Sequence, residues 1–209
     1  MYRLMLLAAV LLAVKLNVHG QIPVQLFGGT KALEYNFLWD RNLDKSGKLS
    51  FFNFTFFNVG YNNPGLNSFE IYQVATYNLT PQWGLAGGGR FTPSGFSPLL
   101  ALSYQIESRD WYVNVFPTMQ YLPAQRQWGY SMFIIAFYQP QINDTWGLFN
   151  QFTFEPLFVG GQHLYSYQQL RAGLSYKKLF EFGLGANLDQ VGPQFIGNHN
   201  VGLFIRKEL

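Results

Sequence analysis

Cysteine is absent from all 209 residues. That excludes disulfide staples and thiolate metal sites, and small secreted soluble domains commonly lean on the former. Charge is scarce too: Asp, Glu, Lys and Arg make up 12% of the chain, where a soluble domain carries about a quarter. With 48% hydrophobic residues, this balance is the reverse of a disordered chain. Beyond the N-terminus there is no run of about 18 apolar residues, so no ordinary transmembrane helix is encoded. What the chain has in excess is aromatic side chains, at 19%, with 21 Phe and 13 Tyr. Without a helical span, so much apolar surface must be hidden some other way.

Residues 1–20 read as a secretory signal peptide. Arg3 supplies a positive start, residues 4–14 are apolar but too short to span, and Val18 and Gly20 are small enough for cleavage before Gln21. Removal takes away Arg3 and Lys15 and no acid, so most of the formal charge of +3 belongs to this leader. The mature chain shows no clustered basic patch, so no nucleic-acid partner is expected.

The remainder alternates between strand-like runs and turn clusters. Runs are read at 48–61, 69–79, 83–91, 97–107, 111–122, 128–139, 145–155, 166–177, 179–188 and 200–209. Pro, Gly and Asn fall between them, as in Asn62-Asn63-Pro64-Gly65 and Thr92-Pro93-Ser94-Gly95. Pro117 is the exception inside a run and predicts a bulge or local break. Period-two alternation is clearest in the last third. Phe180, Phe182, Leu184, Ala186 and Leu188 share one face, and Glu181, Gly183, Gly185 and Asn187 share the other. Alternation specifies strands, not a membrane; a soluble barrel holding a lipid inside shows the same pattern.

Two features favour a membrane. Trp83, Trp111, Trp128 and Trp146 all stand at strand starts, as interfacial aromatic girdles require. Short gaps near Thr80, Ser108, Asn143 and Lys178 alternate with longer ones near Asn62, Pro123, Val159 and Asp189. Short turns on one side and longer loops on the other predict that pattern. The expected fold is therefore all-β: a closed up-and-down antiparallel transmembrane β-barrel over residues 48–209. About ten strands are expected, with residues 21–47 as an N-terminal arm. The alternative is twelve, with 22–27 and 31–39 forming an extra hairpin around Gly28-Gly29.

The final segment, Asn200-Val-Gly-Leu-Phe-Ile-Arg-Lys-Glu-Leu209, resembles the C-terminal targeting strand of bacterial outer-membrane β-barrels. That family usually ends in Phe, and Leu209 departs from it. The resemblance implies the outer membrane of a Gram-negative bacterium, outer-membrane lipid around the wall, insertion by the outer-membrane assembly machinery and a periplasmic C-terminus. Residues 51–57, Phe-Phe-Asn-Phe-Thr-Phe-Phe, are similar in composition to nucleoside-channel-like barrels, which assigns no substrate.

For function, the period-two register aims Glu70, Arg90, Glu107, Arg171, Glu181 and Arg206 into the lumen. Mixed signs in a narrow bore either pair and close it, or line a thin polar path that sets ion selectivity. A narrow pore or small-solute channel is the leading expectation. A structural or partner-binding protein acting through its loops is the alternative, and an outer-membrane hydrolase is third. The hydrolase reading rests on Glu155, Asp189, His163 and His199 near one rim, with Ser166 close in sequence, because a His can activate water or a serine. None of the known motifs is matched, so no enzyme, cofactor or metal is expected. Gly87-Gly88-Gly89 lies within a strand and opens no helix, so it is not a phosphate loop.

Overall fold

The computed structural model describes residues 22–208; the signal-peptide segment and Leu209 lie outside the described residues. Among those described, twelve antiparallel strands follow one another around a closed barrel. They are β1 (Pro23–Gly29), β2 (Ala32–Asn42), β3 (Leu49–Gly60), β4 (Ser68–Asn78), β5 (Trp83–Thr92), β6 (Gly95–Glu107), β7 (Trp111–Leu122), β8 (Gln127–Tyr138), β9 (Trp146–Val159), β10 (Gln162–Tyr176), β11 (Phe180–Val191) and β12 (Ile196–Glu208). No helix among them is long and apolar enough to cross a membrane.

The expected ten strands are therefore corrected to twelve, the alternative count. Residues 21–47 are not an arm: β1 pairs with β12 from Pro23↔Glu208 to Gly29↔Gly202, and with β2 from Val24↔Phe37 to Gly28↔Leu33. The turn is at residues 30–31, beyond Gly28-Gly29. This first hairpin closes the sheet, which otherwise would leave β3 and β12 with unpaired edges.

The start of β1 and the end of β12 lie at one end of the barrel, here called the terminal end. The far-end connections are residues 30–31, 61–67, 93–94, 123–126, 160–161 and 192–195, and the terminal-end ones are 43–48, 79–82, 108–110, 139–145 and 177–179. The expected asymmetry of loops is thus not present. The strands continue through residues that looked like loops: β9 runs to Val159 and β10 starts at Gln162. Gly160 and Gly161, at φ 57 and 80, make the tight hairpin turn that demands two positive φ angles. At the terminal end, the backbone N–H of Leu49 and the Ser46 hydroxyl both donate to the Asp44 carboxylate, and these bonds, the first above all, hold its pKa below the usual carboxylate range.

Pro117 breaks the ladder without shifting it. Ala101↔Thr118 and Tyr104↔Val115 keep one register on either side of the gap, because proline offers no N–H to β6. The real bulge is elsewhere: between His163 and Tyr165 the β9–β10 register shifts, leaving Leu164 unpaired.

The exterior is apolar. Leu100, Leu184 and Leu203 are 60%, 66% and 65% exposed, in an exposed surface that also holds Leu85, Leu170, Val201 and Ile205. A contiguous belt of this kind is costly in water and suited to lipid. Rings bracket it. At the terminal end Trp83 packs on Tyr104 at 4.5 Å, Trp111 on Tyr138 at 4.3 Å and Trp146 on Tyr176 at 4.9 Å. At the far end Trp128 meets Tyr121 at 5.5 Å and Phe91 meets Phe96 at 4.7 Å.

Glycine makes room inside the wall of β10–β12. A methyl group at Gly183 would lie 2.2 Å from the Ala172 carbonyl oxygen, and one at Gly185 would lie 2.8 Å from the Phe27 ring. Gly183→Ala is expected to lower the temperature of the heat-induced gel shift of the folded barrel. Gly185→Ala should do so less, because side chains yield more readily than backbone; overpacking typically costs about 1–3 kcal/mol.

Candidate functional site

The interior is a stack of layers. Its middle is aromatic. Phe52, Phe54 and Phe56 of β3 point inward, although β3 then leaves Asn53 and Thr55 on the outer face, bonded to each other at 3.2 Å and buried beneath neighbouring side chains. Phe52 lies 5.0 Å from Phe116 and 5.6 Å from Phe133, and Phe54 lies 5.5 Å from Phe133. Tyr72 stacks on Phe133 at 5.3 Å with an interplanar angle of 12°. Since β3 and β7–β8 belong to opposite walls, these rings bridge the bore. Towards the terminal end Phe149 continues the packing onto Phe204 at 5.4 Å and Phe137 at 6.0 Å.

Charged clusters flank the rings. Arg90 pairs with Glu155 across the lumen and lies 3.6 Å from Glu70, with its guanidinium over the Tyr72 ring at 5.4 Å. Arg171 binds Glu34 at 3.0 Å and Asn187 at 2.8 Å, and covers the Phe27 ring at 4.1 Å. The Glu34 carboxylate also accepts from Asn36, Gln169 and Asn187. Towards the terminal end Arg206 binds Glu181 at 3.1 Å and lies over the Phe149 ring at 5.2 Å. There the Tyr112 hydroxyl donates to Asp40 from the opposite wall. Every one of these ions, apart from Asp40, is almost wholly buried. Burying them costs several kcal/mol per ion, which only paired, hydrogen-bonded geometry offsets.

Of the residues singled out in the sequence, Glu70, Arg90, Arg171, Glu181 and Arg206 thus meet inside, while Glu107 is exposed at the terminal-end mouth. Glu34 and Asp40 belong to β2 of the closing hairpin, a segment expected as an arm. The sequence places Glu155 and Asp189 near the rim. They face the lumen instead, Glu155 against Arg90 and Asp189 accepting from the Tyr165 hydroxyl at 2.9 Å. His163, Ser166 and His199 are on the outside of the wall, so the proposed rim cluster is divided by the barrel itself. The alternation available for β10 could have separated Ser166 from Tyr167; the bulge at Leu164, which resets His163, had no signal in the sequence.

Above the rings, towards the far end, the lumen opens into a cup of about 420 Å³. Phe56 and Tyr167, 5.7 Å apart, lie among its lining. Around them are Glu34, Glu70, Arg90, Gln120, Gln169, Asn187 and Asn200, and towards the opening Lys31, Ser94, Asp189 and Asn198. Several polar atoms facing this space are buried without a hydrogen-bond partner in the protein: both amide atoms of Gln120, the Tyr167 hydroxyl and Gln169 Oε1. Buried polar groups are rarely left so; here they form a ready set of donors and acceptors for a bound polar molecule.

No protein-family model matches this chain, and no curated protein does. Solved structures do. The chain is similar to the NanC porin, with a TM-score of 0.53 at 12% identity over 90% of this chain and 98% of that one. It is also similar to an outer-membrane channel from Pseudomonas putida F1, with a TM-score of 0.49 at 11% identity over 93% and 97%. The KdgM porin follows at 0.47 and 10% over 90% and 99%. With a lipid-suited exterior, two aromatic girdles and a closed wall already established, the chain has the fold of the bacterial outer-membrane β-barrels.

Proposed function

We propose that this barrel resides in the outer membrane and acts as a narrow, normally closed channel for a small polar solute, with the cup as its selective vestibule. The observation that carries this is the cup itself: a cavity of about 420 Å³ with unpartnered polar atoms of Gln120, Tyr167 and Gln169 facing it, above a plug of rings. Its charges are mixed and lean acidic, which favours neutral, hydroxyl-rich or cationic solutes over anions. The short far-end connections leave little loop surface for capturing a protein partner, so the channel is the better supported reading.

Liposome swelling tests it, with glycerol, glucose and sucrose as probes. Swelling in glycerol is expected to exceed that of protein-free vesicles and to fall as the solute grows. Gln120→Leu is expected to reduce the rate several-fold while the heat-induced gel shift persists, since a site that binds through hydrogen bonds rejects what it cannot pair. Rates equal to protein-free vesicles, both for the native barrel and for one with its ring plug removed, would overturn the channel.

A further inference from the structure

The outer wall carries a second constellation, separate from the lumen. Because Leu164 is the extra residue of the bulge in β10, His163 and Ser166, three apart in sequence, share the outward face. Unbroken alternation would place them on opposite faces. His163 Nε2 lies 3.1 Å from Ser166 Oγ, and His163 Nδ1 lies 2.7 Å from the Gly192 carbonyl oxygen. A carbonyl only accepts, so Nδ1 holds the ring proton and Nε2 presents its lone pair to the serine hydroxyl. That hydroxyl has a second acceptor, Gln190 Oε1, at the longer distance of 3.3 Å. The imidazole is clamped: Phe195 stacks on it at 4.0 Å and Phe158 meets it edge-on at 5.7 Å.

We propose that His163 and Ser166 are a base–nucleophile pair that cleaves the fatty-acyl ester of a membrane lipid against the outside of the barrel. Geometry and depth both point there. The pair has the proton-transfer contact that activates a serine, with the base oriented by a third group. It lies at the far end, beside Phe158 and Phe195, at the level of the aromatic girdle. Such rings sit where headgroups meet acyl chains, and that is where the ester carbonyl of a membrane lipid lies. Ser166 is only 2% exposed and His163 5%. Phe195 is the cover: it is 49% exposed, on the turn of residues 192–195, and held at a φ of 52 that non-glycine residues rarely adopt. Swinging its ring off the imidazole uncovers the His163 side of the pair to lipid.

In the reaction Ser166 Oγ bonds to the ester carbonyl carbon and its proton passes to His163 Nε2, while the carbonyl π electrons move onto oxygen. Collapse breaks the bond to the lipid alkoxide, which takes the proton from Nε2 and departs as an alcohol. Water then gives a proton to Nε2 and its oxygen to the acyl carbon. The fatty acid leaves, and the proton returns to Oγ. The net change is ester plus water to alcohol plus acid.

The test uses the mature chain in detergent and in phosphatidylethanolamine vesicles, with a fluorophosphonate probe and fatty-acid release as readouts. One label on Ser166, identified by mass spectrometry, is expected. Both label and release should fall about 100-fold or more in Ser166→Ala and in His163→Ala, and labelling should quicken in Phe195→Ala. Release should stop in vesicles of the ether-linked analogue. Solute flux through Ser166→Ala should match that of the native barrel, so that this proposal and the channel stand or fall separately. Heat-modifiable native and Phe195→Ala proteins that both stay unlabelled would overturn it, as would fatty-acid release unchanged in Ser166→Ala.

Discussion

Removing two rings from the plug, Phe54→Ala with Phe133→Ala, is expected to turn an almost silent barrel into one with discrete conductance steps in planar bilayers. These side chains approach from opposite walls to 5.5 Å, and Phe52, Tyr72 and Phe116 pack around them. Deleting both opens a continuous gap between the far-end cup and the ion pairs nearer the terminal end, with the wall hydrogen bonds intact. The change has a cost: each buried Phe→Ala typically loses about 3–5 kcal/mol. Folding is therefore checked first by the heat-induced gel shift. The expected order of open-channel current is double variant, then either single variant, then native. A folded double variant without steps would mean that the interior is a solid structural core.

The second large effect is in the Arg90 cluster. Arg90→Met leaves the Glu70 and Glu155 carboxylates together inside the barrel without their counter-charge. Breaking a buried pair from one side typically costs about 3–5 kcal/mol, whereas replacing both partners by apolar groups of similar volume is close to neutral. Arg90→Met should accordingly lower the urea midpoint of unfolding in detergent markedly, and Arg90→Met with Glu155→Met should recover most of the loss. If the double variant is no more stable than the single one, Glu70 rather than Glu155 is the principal partner. The same substitutions should leave the labelling of Ser166 unchanged, because that pair is on the other face of the wall.

The general class of fold was readable because it depends on local pattern. Alternation in β11 separates Phe182 and Leu184, which face lipid, from Glu181, Gly183 and Gly185, which face inward. Trp83, Trp111 and Trp146 at strand starts announced the ring girdle. The closing hairpin was harder to see. Its inward residues include Gln25, Glu34, Asn36 and Asp40, and so polar a segment reads as an arm until β12 is available to pair with it. In β3 polarity does not reveal the facing: Asn53 and Thr55 lie on the outer face, and the phenylalanines occupy the lumen.

The sequence by itself determined strands, their alternation, the lipid-suited belt and the presence of charges of both signs between the girdles. Each of these follows from side chains one or two positions apart, where the geometry of an extended chain leaves no choice. Tertiary structure alone decided the rest. It set the strand count through closure, and it paired Arg90 with Glu155 and Arg171 with Glu34 across the bore. It joined the rings of β3 to those of β7 and β8, and it put His163 beside Ser166 through a single unpaired residue. These contacts depend on barrel register and curvature, which bring together residues tens of positions apart and which no local pattern encodes.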